Sequence, residues 1–284
     1  GLESTSGKIN EVKNKVHKWA PLKFYTSTDK GTDFSVRYHG QEVATLKCGK
    51  SSVYLHVNPK TDTYFKCPIT GVFEWRSEKG KAFRNYFKNH LDKNLPNHVK
   101  EHIVENLFLT GLTSSPKASI FKHRTAITLP SNKRNHGLPL QFPVPFSASN
   151  GKIGATIGHI DILGRSKNGA HLSVWEIKYV GKSKLIVKQA YVYALQVLFM
   201  LSENSLRERW LKLFGFSKGR TRLKAIEIVL AVSKDQQSSV EEQIAGLNSE
   251  IFSPKPEGLI KVTGAYYDYD PINGITDIKY VSYK

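Results

Sequence analysis

The chain has 284 residues, 39% of them hydrophobic and 23% charged, which is typical of a globular protein with one large domain or two smaller ones. Lys and Arg number 42 against 24 Asp and Glu, and this net charge of +18 favours a polyanionic partner such as nucleic acid. Two cysteines are too few for a disulfide framework. No apolar run reaches the length of a membrane span, and the N-terminal segment lacks the apolar core of a secretory signal. We therefore expect a cytoplasmic protein.

The first part of the chain predicts a small antiparallel β module. A short helix is expected over residues 9–19, and between residues 22 and 75 short alternating runs are separated by turn residues. One run, TYFKC at residues 63–67, is predicted as a strand. The aromatic residues of these runs are interpreted mainly as the core of the sheet, with stacking on nucleic-acid bases as the alternative. We expect residues 1–95 to form a basic N-terminal domain that could take part in nucleic-acid recognition.

The next stretch alternates predicted helices, short strands and basic loops. A helix is expected over residues 81–91, and an amphipathic helix over residues 98–109 is predicted to end at Gly111. A basic loop at residues 131–137 separates segments that are predicted as short strands. These segments are ASIF, TAITL and QFPVPF. We expect residues 96–284 to form the second domain.

A β-hairpin is predicted around Asn168-Gly169. This dipeptide lies between two runs of hydrophobic and β-branched residues, and both central residues of a type I′ turn need positive φ. If these residues form the turn, Asp161 lies directly opposite Glu176. Side chains at such positions have β carbons roughly 4.5–5.5 Å apart, and two like charges at that distance are destabilising. We therefore expect a cation between the two carboxylates.

Two close carboxylates form a hard-oxygen site of the kind that binds Mg²⁺ or Mn²⁺. Lys178 is two residues beyond Glu176, so strand alternation places both side chains on one face, where the ammonium can reach a phosphate or an attacking water. The opposite face is predicted to be the core side. It carries Ile160, Ile162, Trp175 and Ile177. The alternative interpretation is a solvent-exposed strand face with ordinary surface ion pairs, in a non-catalytic nucleic-acid-binding protein.

The remaining chain predicts helices that alternate with strands. A largely buried helix follows the hairpin at residues 185–201, and another helix is expected within residues 202–219. The apolar run at residues 225–232 is typical of a buried strand. A helix at 239–251 and a terminal hairpin around Asn273-Gly274 complete a mixed α/β pattern.

Sequence motifs between residues 158 and 193, in this order and spacing, resemble the PD-(D/E)XK nuclease superfamily, and in particular its RecB-like and lambda-exonuclease-like members. The elements are Gly158-His159-Ile160-Asp161 (similar to GxxD), Glu176-Ile177-Lys178 (similar to the (D/E)XK triplet), and Gln189 with Tyr193 (similar to QxxxY). The chain departs from the pattern in two places. Many RecB-like members have Asp where this chain has Glu176, and Ile160 stands where the superfamily's name has Pro, which leaves the sub-family open.

The resemblance implies a restriction-endonuclease-like core, which is a mixed central sheet flanked by helices. It also implies a Mg²⁺-dependent deoxyribonuclease, with Mn²⁺ as a substitute metal and exonuclease or end-processing activity on DNA. A sequence-specific endonuclease of restriction or recombination type is the alternative. The implied metal ligands are Asp161, Glu176 and the backbone carbonyl of Ile177, and the implied catalytic residues also include Lys178, Gln189 and Tyr193.

The superfamily also implies a further acid on a helix before the hairpin. Glu101 flanks the apolar stripe of the helix predicted at residues 98–109, whereas Glu105 points further from it. Glu101 is therefore the expected upstream acid, and Glu105 is the alternative.

Overall fold

The computed structural model describes twelve segments of the chain. They are residues 19–27, 33–49, 51–90, 97–113, 120–129, 138–148, 154, 156–166, 170–179, 184–216, 223–250 and 260–283. Three predicted features lie outside the described residues. They are residues 9–18 of the first helix, the loop at 131–137 and the Asn168-Gly169 turn.

The chain divides into two compact units. One comprises Gly1–Asn106 with Thr128–Leu140, and the other comprises Leu107–Ile127 with Gln141–Lys284. The sequence predicted domains of 1–95 and 96–284. The observed division lies later in the chain, after Asn106, and Thr128–Leu140 also belongs to the first unit.

The first unit contains the predicted antiparallel β module. Its strands are β1 (Lys23–Ser27), β2 (Asp33–Tyr38), β3 (Gln41–Cys48), β4 (Val53–Val57) and β5 (Gly71–Glu74), each paired antiparallel with the next. Its helices are α1 (Lys60–Phe65) and α2 (Glu78–Asn89). The helix predicted at 81–91 begins earlier, because Ser77 caps it by accepting a hydrogen bond from the Gly80 amide.

The predicted TYFKC strand is wrong, since Thr63–Phe65 belong to α1. Thr61 and Phe65 are both buried, and this spacing of four residues is the helical period rather than the strand period. The Phe65 ring packs against Tyr38 and Phe87, with ring centroids 5.3 and 5.8 Å apart. Most aromatic residues of the module are buried, so they form its core as predicted, although Tyr54 is 43% exposed.

Four elements follow in the middle of the chain. They are α3 (Asn97–Thr113), β6 (Thr125–Ala126), β7 (Thr128–Leu129) and β8 (Leu138–Val144). The prediction that a helix ends at Gly111 is wrong, because α3 continues to Thr113. A β carbon at Gly111 would overlap the ring of Phe121, so the glycine allows close packing rather than a helix end. Ile120 and Phe121 lie in a turn, which corrects the predicted ASIF strand.

The second unit is a mixed α/β fold built on a six-stranded sheet. Its further strands are β9 (Gly158–Ile160), β10 (Ile162–Ser166), β11 (His171–Ile177), β12 (Ala225–Ser233), β13 (Ile260–Asp270) and β14 (Gly274–Tyr283). The sheet order is β14-β13-β12-β11-β10-β6, in which β11, β12 and β13 are parallel and the outer pairs are antiparallel. Strand β9 pairs with the end of β8. The predicted α/β class, the central hairpin and the C-terminal hairpin are confirmed.

Helices of the second unit flank this sheet. They are α4 (Ile186–Ser202), α5 (Asn204–Leu213) and α6 (Gln237–Glu250), and α4 packs on β11 and β12. Every residue of β11 and β12 is buried, as expected for parallel strands covered on both faces. Within the described segments, no helix combines the length and the apolar character that crossing a bilayer requires.

Candidate functional site

The central hairpin has the predicted register. Ile162 pairs with Trp175, and the antiparallel pairing continues to Ser166 and His171. Asp161 comes directly before Ile162, and Glu176 comes directly after Trp175. The same register therefore assigns these two acids to opposite positions at the end of the hairpin away from its turn.

Asp161 is bonded to the backbone of β11. Its Oδ2 accepts a hydrogen bond from the Ile177 amide at 2.7 Å. The next amide, of Lys178, donates in the other direction to the Ala231 carbonyl oxygen of β12 at 2.9 Å. Successive amides of a strand point to opposite neighbours, so the Asp161 carboxylate occupies the place where β10 has stopped pairing with β11.

Glu176 is completely buried, and it forms an ion pair with Lys178. The Lys178 Nζ lies 2.7 Å from Glu176 Oε1, and the lysine side chain is 17% exposed. The interpretation of this strand as a solvated surface face is therefore wrong. The predicted core side is buried, and so is the face that carries Glu176. A carboxylate taken out of water is costly unless a positive group and hydrogen bonds compensate, and Lys178 supplies the positive group.

The backbone of Lys178 is held at both of its polar groups. Its amide donates to Ala231, and its carbonyl oxygen accepts a hydrogen bond from the hydroxyl of Tyr267 at 2.8 Å. Tyr267 is fully buried on β13, and its ring packs edge-on against Phe108 with centroids 5.3 Å apart. Sequence reasoning missed Tyr267, because nothing in its surrounding sequence connects it with a lysine 89 residues earlier.

Gln189 and Tyr193 share a face of α4, as their spacing predicts. The Tyr193 hydroxyl lies 3.5 Å from both Gln189 Nε2 and the Ala148 amide, and the side chain is only 1% exposed. A β carbon at Gly158 would lie 3.0 Å from Cε1 of the Tyr193 ring and 2.8 Å from the Phe146 carbonyl oxygen. The glycine that precedes Asp161 and the tyrosine of α4 are therefore packed together.

Glu101 and Glu105 lie on the portion of α3 that belongs to the first unit. Glu105 Oε2 is 2.9 Å from Nδ1 of His102. The role of Glu101 as the upstream acid stays a prediction. Across the described ranges, no group of three or more His, Cys, Asp or Glu side chains is arranged to hold a metal ion. Two carboxylates, those of Asp161 and Glu176, lie at this end of the hairpin.

A second buried carboxylate lies elsewhere on the same sheet. Glu227 of β12 pairs in register with Ser173, three residues before Glu176. Its carboxylate accepts hydrogen bonds from Arg124 at 2.8 Å, from Thr263 at 2.8 Å and from the Ser166 hydroxyl. Burial alone would raise the pKa of Glu227, but Arg124 and the three hydrogen bonds outweigh burial and hold the pKa below its usual value. Sequence reasoning missed this cluster, although a single acid in an apolar strand was a signal for it.

Comparison of the chain with protein-family models, with curated proteins and with solved structures gives no match. Inference about function therefore depends on the chemistry of the residues themselves.

Proposed function

We propose that this protein is a metal-dependent DNA nuclease with a restriction-endonuclease-like core, which hydrolyses phosphodiester bonds by exonuclease or end-processing activity. One observation supports it most. Asp161, Glu176 and Lys178 lie together at one end of a hairpin, in a largely buried setting, with the acids at opposed positions and the lysine ammonium 2.7 Å from one of them. A structural ion pair needs one acid, whereas this site has two.

The charges of the site suit a divalent cation. Two carboxylates and one ammonium leave a net negative charge in a place where burial makes that charge costly. Carboxylate and carbonyl oxygens are the ligands that Mg²⁺ and Mn²⁺ prefer. The ligands would be Asp161, Glu176 and the backbone carbonyl of Ile177, and Mg²⁺ bound there would lower the pKa of a water molecule and neutralise charge on a phosphate.

The protein side chains have separate roles in this proposal. Lys178 stabilises the negative charge that develops on the phosphate oxygens and on the attacking water. Asp161 is oriented by the Ile177 amide, which fixes its Oδ2. Gln189 and Tyr193 share a face of α4. The amide of Gln189 would hydrogen-bond the DNA backbone, and the buried Tyr193 packs against Gly158 of β9, the strand that ends directly before Asp161.

The proposed substrate is DNA, which the net charge of +18 favours. A cytoplasmic location is part of the same proposal. The first unit would contribute to DNA recognition through its basic surface rather than through its aromatic residues, because most of these are buried. A sequence-specific endonuclease is the other nuclease candidate, and the form of the substrate separates it from an exonuclease.

The test is a cleavage assay on linear and closed circular DNA, single- and double-stranded, with Mg²⁺, Mn²⁺ or EDTA. We expect the purified chain to degrade linear DNA with either metal, to leave closed circles intact and to be inactive in EDTA. The variants Asp161→Asn, Glu176→Gln and Lys178→Ala should each lose at least about a hundredfold in rate. Matched controls are the exposed residues Glu208 and Lys212, as Glu208→Gln and Lys212→Ala, which should cleave at the wild-type rate.

Each other outcome has a clear meaning. Cleavage of circles at defined sequences would replace the exonuclease by the endonuclease. Full activity of Lys178→Ala would show that the hairpin is not the catalytic site. DNA binding without cleavage under any of these conditions, and with no metal-induced shift in thermal stability, would leave a non-catalytic DNA-binding protein.

A further inference from the structure

The backbone around Lys178 leaves the sheet just where the site begins. The pairing of β11 with β12 ends at Ile177, which pairs with Ala231, whereas β12 continues to Ser233 and β13 to Asp270. The carbonyl of Lys178 therefore lies past the last residue of β11. It accepts its hydrogen bond from a side chain two strands away, the hydroxyl of Tyr267 at 2.8 Å.

We propose that Tyr267 is a positioning residue for Lys178, which sets the place of the lysine ammonium relative to Glu176 by holding the backbone of residue 178. The inference rests on the proposed nuclease function and adds to it a residue that the sequence motifs do not contain. Tyr267 acts through the backbone carbonyl, so it need not contact DNA or metal.

The Tyr267 side chain and the Lys178 ammonium lie on opposite faces of β11. Tyr267 packs against Phe108, which also packs against Trp175, with ring centroids 5.3 and 5.8 Å apart. Strand alternation directs Trp175 and Glu176 to opposite faces of β11, and Lys178 shares the face of Glu176. Tyr267 thus holds the lysine backbone from the Trp175 face, while the ammonium lies with Glu176 on the other face.

The surroundings of Tyr267 restrict the movement of its side chain. The side chain is fully buried, and its ring is wedged against Phe108 on the core side of β13. A buried tyrosine with two χ angles and a packed ring has little rotamer freedom, so its hydroxyl is a rigid anchor for the carbonyl. Tyr267→Phe keeps the ring and removes the hydrogen bond from the hydroxyl to the Lys178 carbonyl.

The test is Tyr267→Phe in the full-length chain, with DNA cleavage measured in saturating Mg²⁺ at 15 °C. We expect kcat to fall roughly three- to tenfold, the factor that corresponds to one ordinary hydrogen bond, while KM for DNA stays unchanged. The matched control is Tyr266→Phe, which removes the neighbouring hydroxyl. That hydroxyl lies 2.6 Å from the Tyr283 hydroxyl, and its loss should leave kcat unchanged.

Thermal midpoints of both variants separate positioning from simple loss of stability. A purely structural role predicts similar decreases in midpoint for Tyr267→Phe and Tyr266→Phe and no change in kcat for folded protein. A kcat of Tyr267→Phe within twofold of wild type, in a chain that needs Lys178 for cleavage, would overturn this inference and leave the nuclease proposal intact. If the wild-type chain cleaves no DNA, the nuclease proposal fails first and the positioning role fails with it.

Discussion

Gly158 lies against the ring of Tyr193, so closely that a β carbon at Gly158 would be 3.0 Å from the ring atom Cε1. Gly158 precedes Asp161 by three residues, and Tyr193 lies on helix α4 four residues after Gln189. Strand β9, which ends directly before Asp161, and helix α4, which follows Lys178, are therefore packed in contact. This contact means that the spacing between the motif at residues 158–161 and the motif at residues 189–193 also depends on how β9 and α4 pack together.

The substitution Gly158→Ala should destabilise the second unit by about 1–3 kcal/mol, the usual cost of forcing an extra methyl group into a packed interior. The new carbon would lie 2.8 Å from the Phe146 carbonyl oxygen and 2.9 Å from the Ser147 α carbon, and backbone atoms cannot easily give way. Urea unfolding measures the change. The control is Gly246→Ala in α6, where an added β carbon would meet no atom within 4 Å apart from its chain neighbours and the backbone of its own helix, and this variant should be stabilised by roughly 0.5–1 kcal/mol. Equal effects of the two changes would contradict the packing argument.

Lys178 and Glu176 should be strongly coupled in stability when no metal is present. Lys178→Met leaves a fully buried carboxylate without its cation, which should cost roughly 3 kcal/mol. The double variant Lys178→Met with Glu176→Gln should regain much of that loss, because neither charge of the pair remains to be buried. A double-mutant cycle from urea unfolding in EDTA measures the coupling free energy.

The control for this cycle is the more exposed pair of Lys47 and Asp33, which is 3.6 Å apart. Its coupling should be below about 1 kcal/mol, because solvent screens an exposed pair. Simple additivity of the Lys178 and Glu176 changes would show that the ion pair does not compensate for burial.

Asp161 should tolerate replacement by Asn better than by Ala. The Asn side chain keeps an oxygen that can accept the hydrogen bond of the Ile177 amide, whereas Ala leaves that amide without this acceptor. We expect Asp161→Asn to unfold at nearly the wild-type urea concentration and Asp161→Ala to lose about 1 kcal/mol. Neither variant should cleave DNA. Wild-type activity in Asp161→Asn would show that the negative charge at this position is not needed.

Glu227 should make the second unit less stable in acid. The pKa of this carboxyl is lowered in the folded state from its usual 4.5, so the unfolded chain binds the proton more readily. Its contribution to stability is present above pH 4.5 and is lost as the pH falls from 4.5 through the lowered pKa of the folded state. Unfolding free energies of wild type and Glu227→Gln between pH 7 and pH 3 should therefore converge at the acid end.

The parts of the site that are close in sequence were predictable, and the parts that depend on distant contacts were not. The register of Asp161 and Glu176 follows from strand periodicity and one turn dipeptide, and the observed pairing of Ile162 with Trp175 has that register. The sequence did not predict that Glu176 is completely buried, because this burial depends on elements that are distant from it in the sequence.

Long-range partners account for most of what the sequence did not reveal. Arg124 is 103 residues from Glu227, and Tyr267 is 89 residues from Lys178. Local patterns carry no information on such pairs. Gly111 was misread for the same reason, since a glycine late in a helical pattern is typical of a helix end, and only the position of Phe121 shows that it permits close packing.

The hydrogen bond from Tyr267 to the Lys178 carbonyl also has a consequence for biosynthesis. A nascent chain that has reached residue 178 already carries both acids and the lysine, and it can form the hairpin by local pairing. The donor that fixes the lysine backbone emerges from the ribosome 89 residues later. This hydrogen bond therefore cannot form until Tyr267 has been synthesised, so a fragment that ends between residues 193 and 267 would hold every motif residue and still lack this contact to the lysine backbone.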